Sequence, residues 1–198
     1  MNNKLISLIR RMDTKTPEAQ MALQCAPLIV GLRMSNLLFI RNGQIKRIQE
    51  LLKRRGICLS LLYREREKSV VFLYYREELG KYLAKTDVRK FLMECGYGSA
   101  QITDILSLFG RRYHAYRQGL CDFPHEIGVL LGYPLEDVRG FIDNAGQNYL
   151  YSGYWKVYRD VEEKKEIFCM YEFARETLVE FVCHGTGMKD IIDAYKEK

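Results

Sequence analysis

The sequence predicts an α+β fold: a small antiparallel sheet of three to four strands in the N-terminal half, packed with a mainly helical C-terminal half. Two observations carry this expectation. Runs of β-branched, aromatic and aliphatic residues cluster between residues 37 and 75, whereas from residue 76 onward apolar residues recur at spacings of three and four.

Early in the chain, Pro27 in Gln24-Cys25-Ala26-Pro27 is expected to end a helix and to leave the Cys25 thiol near a chain reversal. Leu37 to Arg41 reads as a strand. Gln44 to Arg55 places Ile45, Ile48, Leu51 and Leu52 on one side of a helix, and Gly56 stands at its C-terminal cap position. Ile57 to Arg64 and Ser69 to Tyr75 then read as two antiparallel strands, joined across Glu65-Arg66-Glu67-Lys68. Arg76 to Ala84, Asp87 to Cys95 and Ala100 to Tyr116 follow as helices. Trp155 to Tyr158 is a candidate fourth strand, with Trp155 and Val157 on one face and Lys156 and Tyr158 on the other. Asp160 and Glu163 form an acidic variant of the capping box before a long helix, whose expected buried stripe is Ile167, Tyr171, Ala174, Leu178 and Phe181. A last helix runs from about Gly187 to Lys196, and Gly185-Thr186-Gly187-Met188-Lys189 reads as a helix cap, since it lacks the spacing of a phosphate loop.

With 198 residues, 47% of them hydrophobic and 28% charged, the chain is long enough for one core without metals or disulfides. No linker or repeat interrupts it, so a single domain over residues 1–198 is expected. The first thirty residues lack the order of a secretory signal, and no apolar run reaches the roughly 18 residues a bilayer span needs, which points to the cytoplasm and away from membranes. Six scattered cysteines without a C-x-x-C pair fit reduced thiols.

Charge is unevenly distributed. Residues 1–60 hold 11 Lys/Arg against 3 Asp/Glu, residues 61–120 hold 11 against 7, and residues 121–198 hold 9 against 15. A basic front and an acidic back suit either two solvated faces or a surface that orients an acidic partner.

The segment Phe123 to Asn144 contains two short apolar-periodic stretches, the first begun by Pro124, the two divided by Gly132, with Pro134 opening the second. They suggest a helix-turn-helix-like pair. Its second helix carries Glu136, Asp137 and Asp143 against the single Arg139, which argues against nucleic acid as its partner. The cation and aromatic cluster Arg111 to Arg117 is the other place where nucleic acid could be held, beside the basic N-terminal half. His125 and Glu126 fall in the first turn of the first predicted helix, close to Cys121. They could act as base or ligand, but the spacing matches no strong metal pattern, so no metal is expected and no cofactor is identified.

Cys25-Ala26-Pro27, the run Phe123-Pro124-His125-Glu126-Ile127-Gly128 with Leu131-Gly132-Tyr133-Pro134 and Asp137-Val138, and Trp155-Lys156-Val157-Tyr158 together resemble the family catalogued as domain of unknown function 3793. The resemblance covers nearly the whole chain; Arg33 replaces an expected lysine and keeps the charge. It implies a single cytoplasmic domain of an anaerobic, clostridia-like bacterium and brings with it no established reaction or ligand. It does set His125, Glu126 and Lys156 inside the identifying blocks.

These observations lead to three expectations. The first is a binding protein with a polar pocket between the sheet and the helical half, lined by Cys25, Arg33, His125, Glu126, Trp155, Lys156 and Tyr158. Its ligand would be a small anionic molecule, a cofactor or the acidic surface of a redox partner. The second is a thiol enzyme with Cys25 as nucleophile and His125 as base. The third is nucleic-acid binding through the basic N-terminal half.

Overall fold

The computed structural model describes residues 3–196, with side chains from residue 5 onward. The chain divides into two compact units, residues 1–74 with 170–198, and residues 75–169.

The first unit opens with helices α1 (Asn3–Arg11) and α2 (Pro17–Ile29). Thr16 caps α2, its hydroxyl accepting from the Ala19 amide at 3.2 Å, and Pro17 sits in the first turn, where its missing N–H costs nothing. Pro27 does not end the helix. It lies in the final turn, where only the Leu23 carbonyl loses a partner, and its own carbonyl accepts from Leu32 and Arg33 as the chain reverses.

Strands β1 (Ser35–Arg41), β2 (Ile57–Arg64) and β3 (Lys68–Tyr75) form an antiparallel sheet in the order β1-β3-β2. The β1–β3 register pairs Leu38 with Val71 and Arg41 with Lys68. Along β1, Leu38 and Ile40 are buried while Phe39 and Arg41 face outward. The Gln24 amide of α2 satisfies both backbone groups of Phe39, accepting from its N–H at 3.0 Å and donating to its carbonyl at 3.1 Å.

Helix α3 (Ile45–Leu52) buries Ile45, Ile48, Leu51 and Leu52, the four residues its periodicity selects. It stops earlier than the sequence suggests. Lys53 is no longer helical, Arg54 takes φ 64°, and Gly56 takes φ 83° at the entry to β2.

The second unit begins with α4 (Arg76–Leu83), α5 (Thr86–Glu94) and α6 (Ile102–Arg117), within a residue or two of the predicted helices. In α6 the Arg111 to Arg117 cluster is not one surface. Arg112 and Tyr113 are turned into the protein, Arg112 toward Glu126. Helices α7 (Ile127–Leu130) and α8 (Leu135–Asp143) pack together, but α7 is a single turn. The strand expected at 155–158 does not join the three-stranded sheet. Lys156–Val157 (β5) pairs instead with Tyr151–Ser152 (β4), making a separate two-residue ladder.

The division between units falls within α9 (Val161–Cys183); α10 (Met188–Lys196) follows and packs on α2 and α3. The buried stripe of α9 differs from its predicted one: Phe168 replaces Ile167, and Leu178 with Val179 end it, while Phe181 remains 40% exposed. Lys164 is buried instead, with its ammonium 3.0 Å from Glu163 and 3.8 Å from Glu136. Among the described residues no helix is long and apolar enough to cross a membrane.

Candidate functional site

Within the second unit, the FPHEIG and WKVY blocks wall one cavity of about 270 Å³. Phe123, His125, Ile127, Gly128, Tyr133, Asp137, Val138, Phe141, Ser152, Gly153, Trp155 and Lys156 line it.

Close helix packing builds its floor. A Cβ on Gly128 would stand 2.8 Å from Val138, and a Cβ on Gly140 only 2.5 Å from the Tyr158 ring, so these two positions let α7 and the β5 strand lie directly on α8. Tyr82 holds the intervening turn by donating to the Tyr133 carbonyl at 2.9 Å, and burial pushes its phenol up to about 12. Asp137 fixes the WKVY block. Its buried carboxylate accepts from Trp155 Nε1 and from the Tyr158 amide, both at 2.7 Å. The indole of Trp155 stacks on Tyr133 at 4.8 Å and meets Phe168 edge-on at 4.5 Å.

His125 is exposed at the cavity rim, its imidazole between Phe123 at 5.4 Å and Phe141 at 5.0 Å. Lys156 lies over Tyr149 at 4.7 Å and Phe141 at 5.6 Å and donates to the Gly146 carbonyl at 2.5 Å. The Tyr158 hydroxyl donates to the next carbonyl, that of Gln147, at 3.0 Å. Lys156 and Tyr158 therefore do reach one segment together, as the strand alternation suggests, and that segment is the chain's own loop. Ala145, Gly146 and Asn148 all have positive φ there, and the two side chains hold the loop in that conformation.

Glu126 turns away from its neighbour. It is 7% exposed and accepts from Tyr97 Oη at 2.9 Å and from Arg112 at 2.8 Å, while Arg112 also donates to the Cys95 carbonyl at 2.6 Å and lies 4.7 Å above the Tyr97 ring. Burial and the adjacent Glu126 charge both raise the Tyr97 phenol. Through its Oε1 this carboxylate joins the segment after α5 to α6 and to the start of α7. Cys121 is exposed, and its thiol lies 3.7 Å from the Arg112 carbonyl. Among the described residues no group of three or more His, Cys, Asp or Glu side chains is arranged to hold a metal ion.

Cys25 and Arg33 belong to the other unit. Cys25 is fully buried, and Asn36 donates to its sulfur at 3.4 Å and to the Gln24 carbonyl at 2.8 Å. Arg33 donates to Asn36 Oδ1 at 3.1 Å and lies 5.7 Å over the Tyr171 ring. Burial pushes the Cys25 thiol up to about 12, outweighing the Asn36 hydrogen bond and the Arg33 charge that pull it down. A nucleophile needs the opposite shift and access to a substrate, so Cys25 lacks both requirements of the catalytic role.

Of the seven residues singled out from the sequence, His125, Trp155 and Lys156 line one cavity, Glu126 and Tyr158 brace its surroundings, and Cys25 and Arg33 lie in the other unit, joined through the buried Asn36. Sequence reasoning missed Phe141 and Asp137. Phe141 gave no signal beyond helical periodicity, but Asp137, an acid beside apolar Val138 within a recognised block, marked a buried partner. No curated protein and no solved structure matches the chain. The sequence model of the family described as "Protein of unknown function (DUF3793)" matches residues 21–192, most of the chain, and the chain belongs to that family.

Proposed function

We propose that this is a binding protein whose second unit takes a small planar ligand bearing an anionic group. One observation carries this reading: an imidazole, an ammonium and an indole from two separated blocks line a single, mostly aromatic and aliphatic cavity, whose one carboxylate, Asp137, accepts from Trp155 and the Tyr158 amide. About 270 Å³ lies near the lower end of small-molecule sites. Aromatic walls favour a flat ring, stacked or edge-on. The Lys156 ammonium has three N–H donors and spends one on Gly146, so an anion entering beside His125 can take another without dismantling the loop.

The thiol-enzyme alternative rested on an activated Cys25 and is set aside with it. The binding reading is tested by native mass spectrometry of the protein isolated from its native host. A small non-covalent adduct is expected in the wild type and absent from His125→Ala, with the same unfolding midpoint in both once the ligand has been removed. Equal adduct in the two proteins, or none in the wild type, overturns the reading. Trp155 is the sole tryptophan of the chain, so its emission gives an independent titration signal for any candidate ligand.

A further inference from the structure

A second cleft, of about 300 Å³, lies wholly within the first unit and differs in chemistry from the aromatic cavity. Lys15, Arg41 and Lys68 line it with Thr14, Gln20, Phe39, Ile40 and Gln44, and no carboxylate is among its lining residues. Arg41 and Lys68 are directly opposite one another in the β1–β3 ladder. Like charges at such a position repel and weaken a sheet, an arrangement that an anion lying between them would relieve. Phe39 is 50% exposed two residues before Arg41, on the same outward face of β1, so an open aromatic surface adjoins the paired cations.

The third cation sits on a loop held from both ends. Gln20 donates to the Thr14 carbonyl and Gln44 to the Lys15 carbonyl, each at 2.5 Å. The nearby carboxylate of Asp13 is occupied by the Lys15 amide at 2.9 Å, and that of Glu18 by Arg47 at 2.7 Å. These bonds hold the backbone of Thr14 and Lys15 in place, and of the two acids only Glu18 is paired with a cation outside the cleft.

We infer that this cleft binds a free nucleotide, its phosphate between Arg41, Lys68 and Lys15 and its base against Phe39. Arginine and lysine together are suited to phosphate oxygens, the first by its forked donors and the second as a point charge. A half-exposed ring beside them accepts any flat base by stacking.

Calorimetric titration of the full chain with AMP in low salt tests the inference, because attraction between exposed charges fades as salt is added. Saturable binding is expected, weakened about tenfold or more in both Arg41→Gln and Lys68→Gln, and unchanged within about twofold in Lys46→Gln, whose lysine does not line the cleft; one broken charge-assisted contact corresponds to such a factor. Lys68→Gln should also melt no lower than wild type, since it removes a repulsion. A residue needed only for folding would not combine lost affinity with retained stability. Absence of saturable AMP binding, equal weakening by Lys46→Gln, or equal affinity for inorganic phosphate overturns the assignment. Binding of a single-stranded oligonucleotide without AMP binding would also overturn it, in favour of a polymeric source of the same phosphate.

Discussion

The Cys25 cluster and the aromatic cavity both set polar side chains among apolar neighbours, yet one is closed and the other open. Around Cys25 the donors end on internal acceptors: Asn36 bonds the thiol and the Gln24 carbonyl, and Arg33 bonds Asn36. The cavity keeps its buried carboxylate satisfied in the same way through Asp137, but leaves an imidazole and part of an ammonium facing space. A buried polar group with every partner supplied is a structural device; one left facing a cavity is a means of recognition.

The largest test of this contrast is removal of the closed element beneath the open one. Asp137→Ala strands the Trp155 and Tyr158 donors and should cost about 4 kcal/mol in urea unfolding, with a red shift of Trp155 emission. A loss under about 1 kcal/mol would show that the carboxylate does not organise the cavity.

Next is the alkaline limb at Cys25. Its thiol titrates near 9.0 ordinarily and is pushed up to about 12 when folded, so the folded state holds the proton that the unfolded chain releases between those values. The resulting stabilisation is complete below pH 9 and declines as pH rises toward 12, amounting to about 3 kcal/mol lost by pH 11. Chemical unfolding of wild type and Cys25→Ala across pH 8 to 11 should show a slope steeper in the wild type. Parallel slopes would mean that the thiol is not closed off.

Glu126→Gln keeps the shape of the side chain but removes its charge toward Tyr97 and Arg112, and should cost about 1.5 kcal/mol. The smallest effect belongs to His125→Ala. An exposed ring seated between two aromatics contributes little, and the change in stability should stay within about 0.5 kcal/mol. A larger loss would move His125 from recognition to structure.

The sequence revealed the elements more clearly than their partners. Strong periodicity places α4, α5 and α6 within a residue or two and selects the buried face of α3, though not its end, because each buries a stripe that spacing alone defines. Lys156 and Val157 have the alternation of a strand, but alternation names no neighbour, and the residues pair locally with Tyr151 and Ser152 instead of extending the sheet. In α9, Ile167 and Phe168 are both apolar and adjacent, so sequence cannot decide which turns inward; Phe168 does, because the Trp155 and Tyr154 rings are there to receive it. His125 and Glu126 are equally polar neighbours in the sequence. Only the position of Arg112 and Tyr97, far along the chain, separates their fates.

The amide of Gln24 lies against Phe39 like one more rung on the outer side of β1, supplying the hydrogen bonds a neighbouring strand would otherwise make. An uncovered sheet border invites other chains to add themselves, the first step toward fibres. At this position an incoming strand must first dislodge a side chain already seated on the backbone, so β1 is protected at its middle against serving as a template when the protein is crowded.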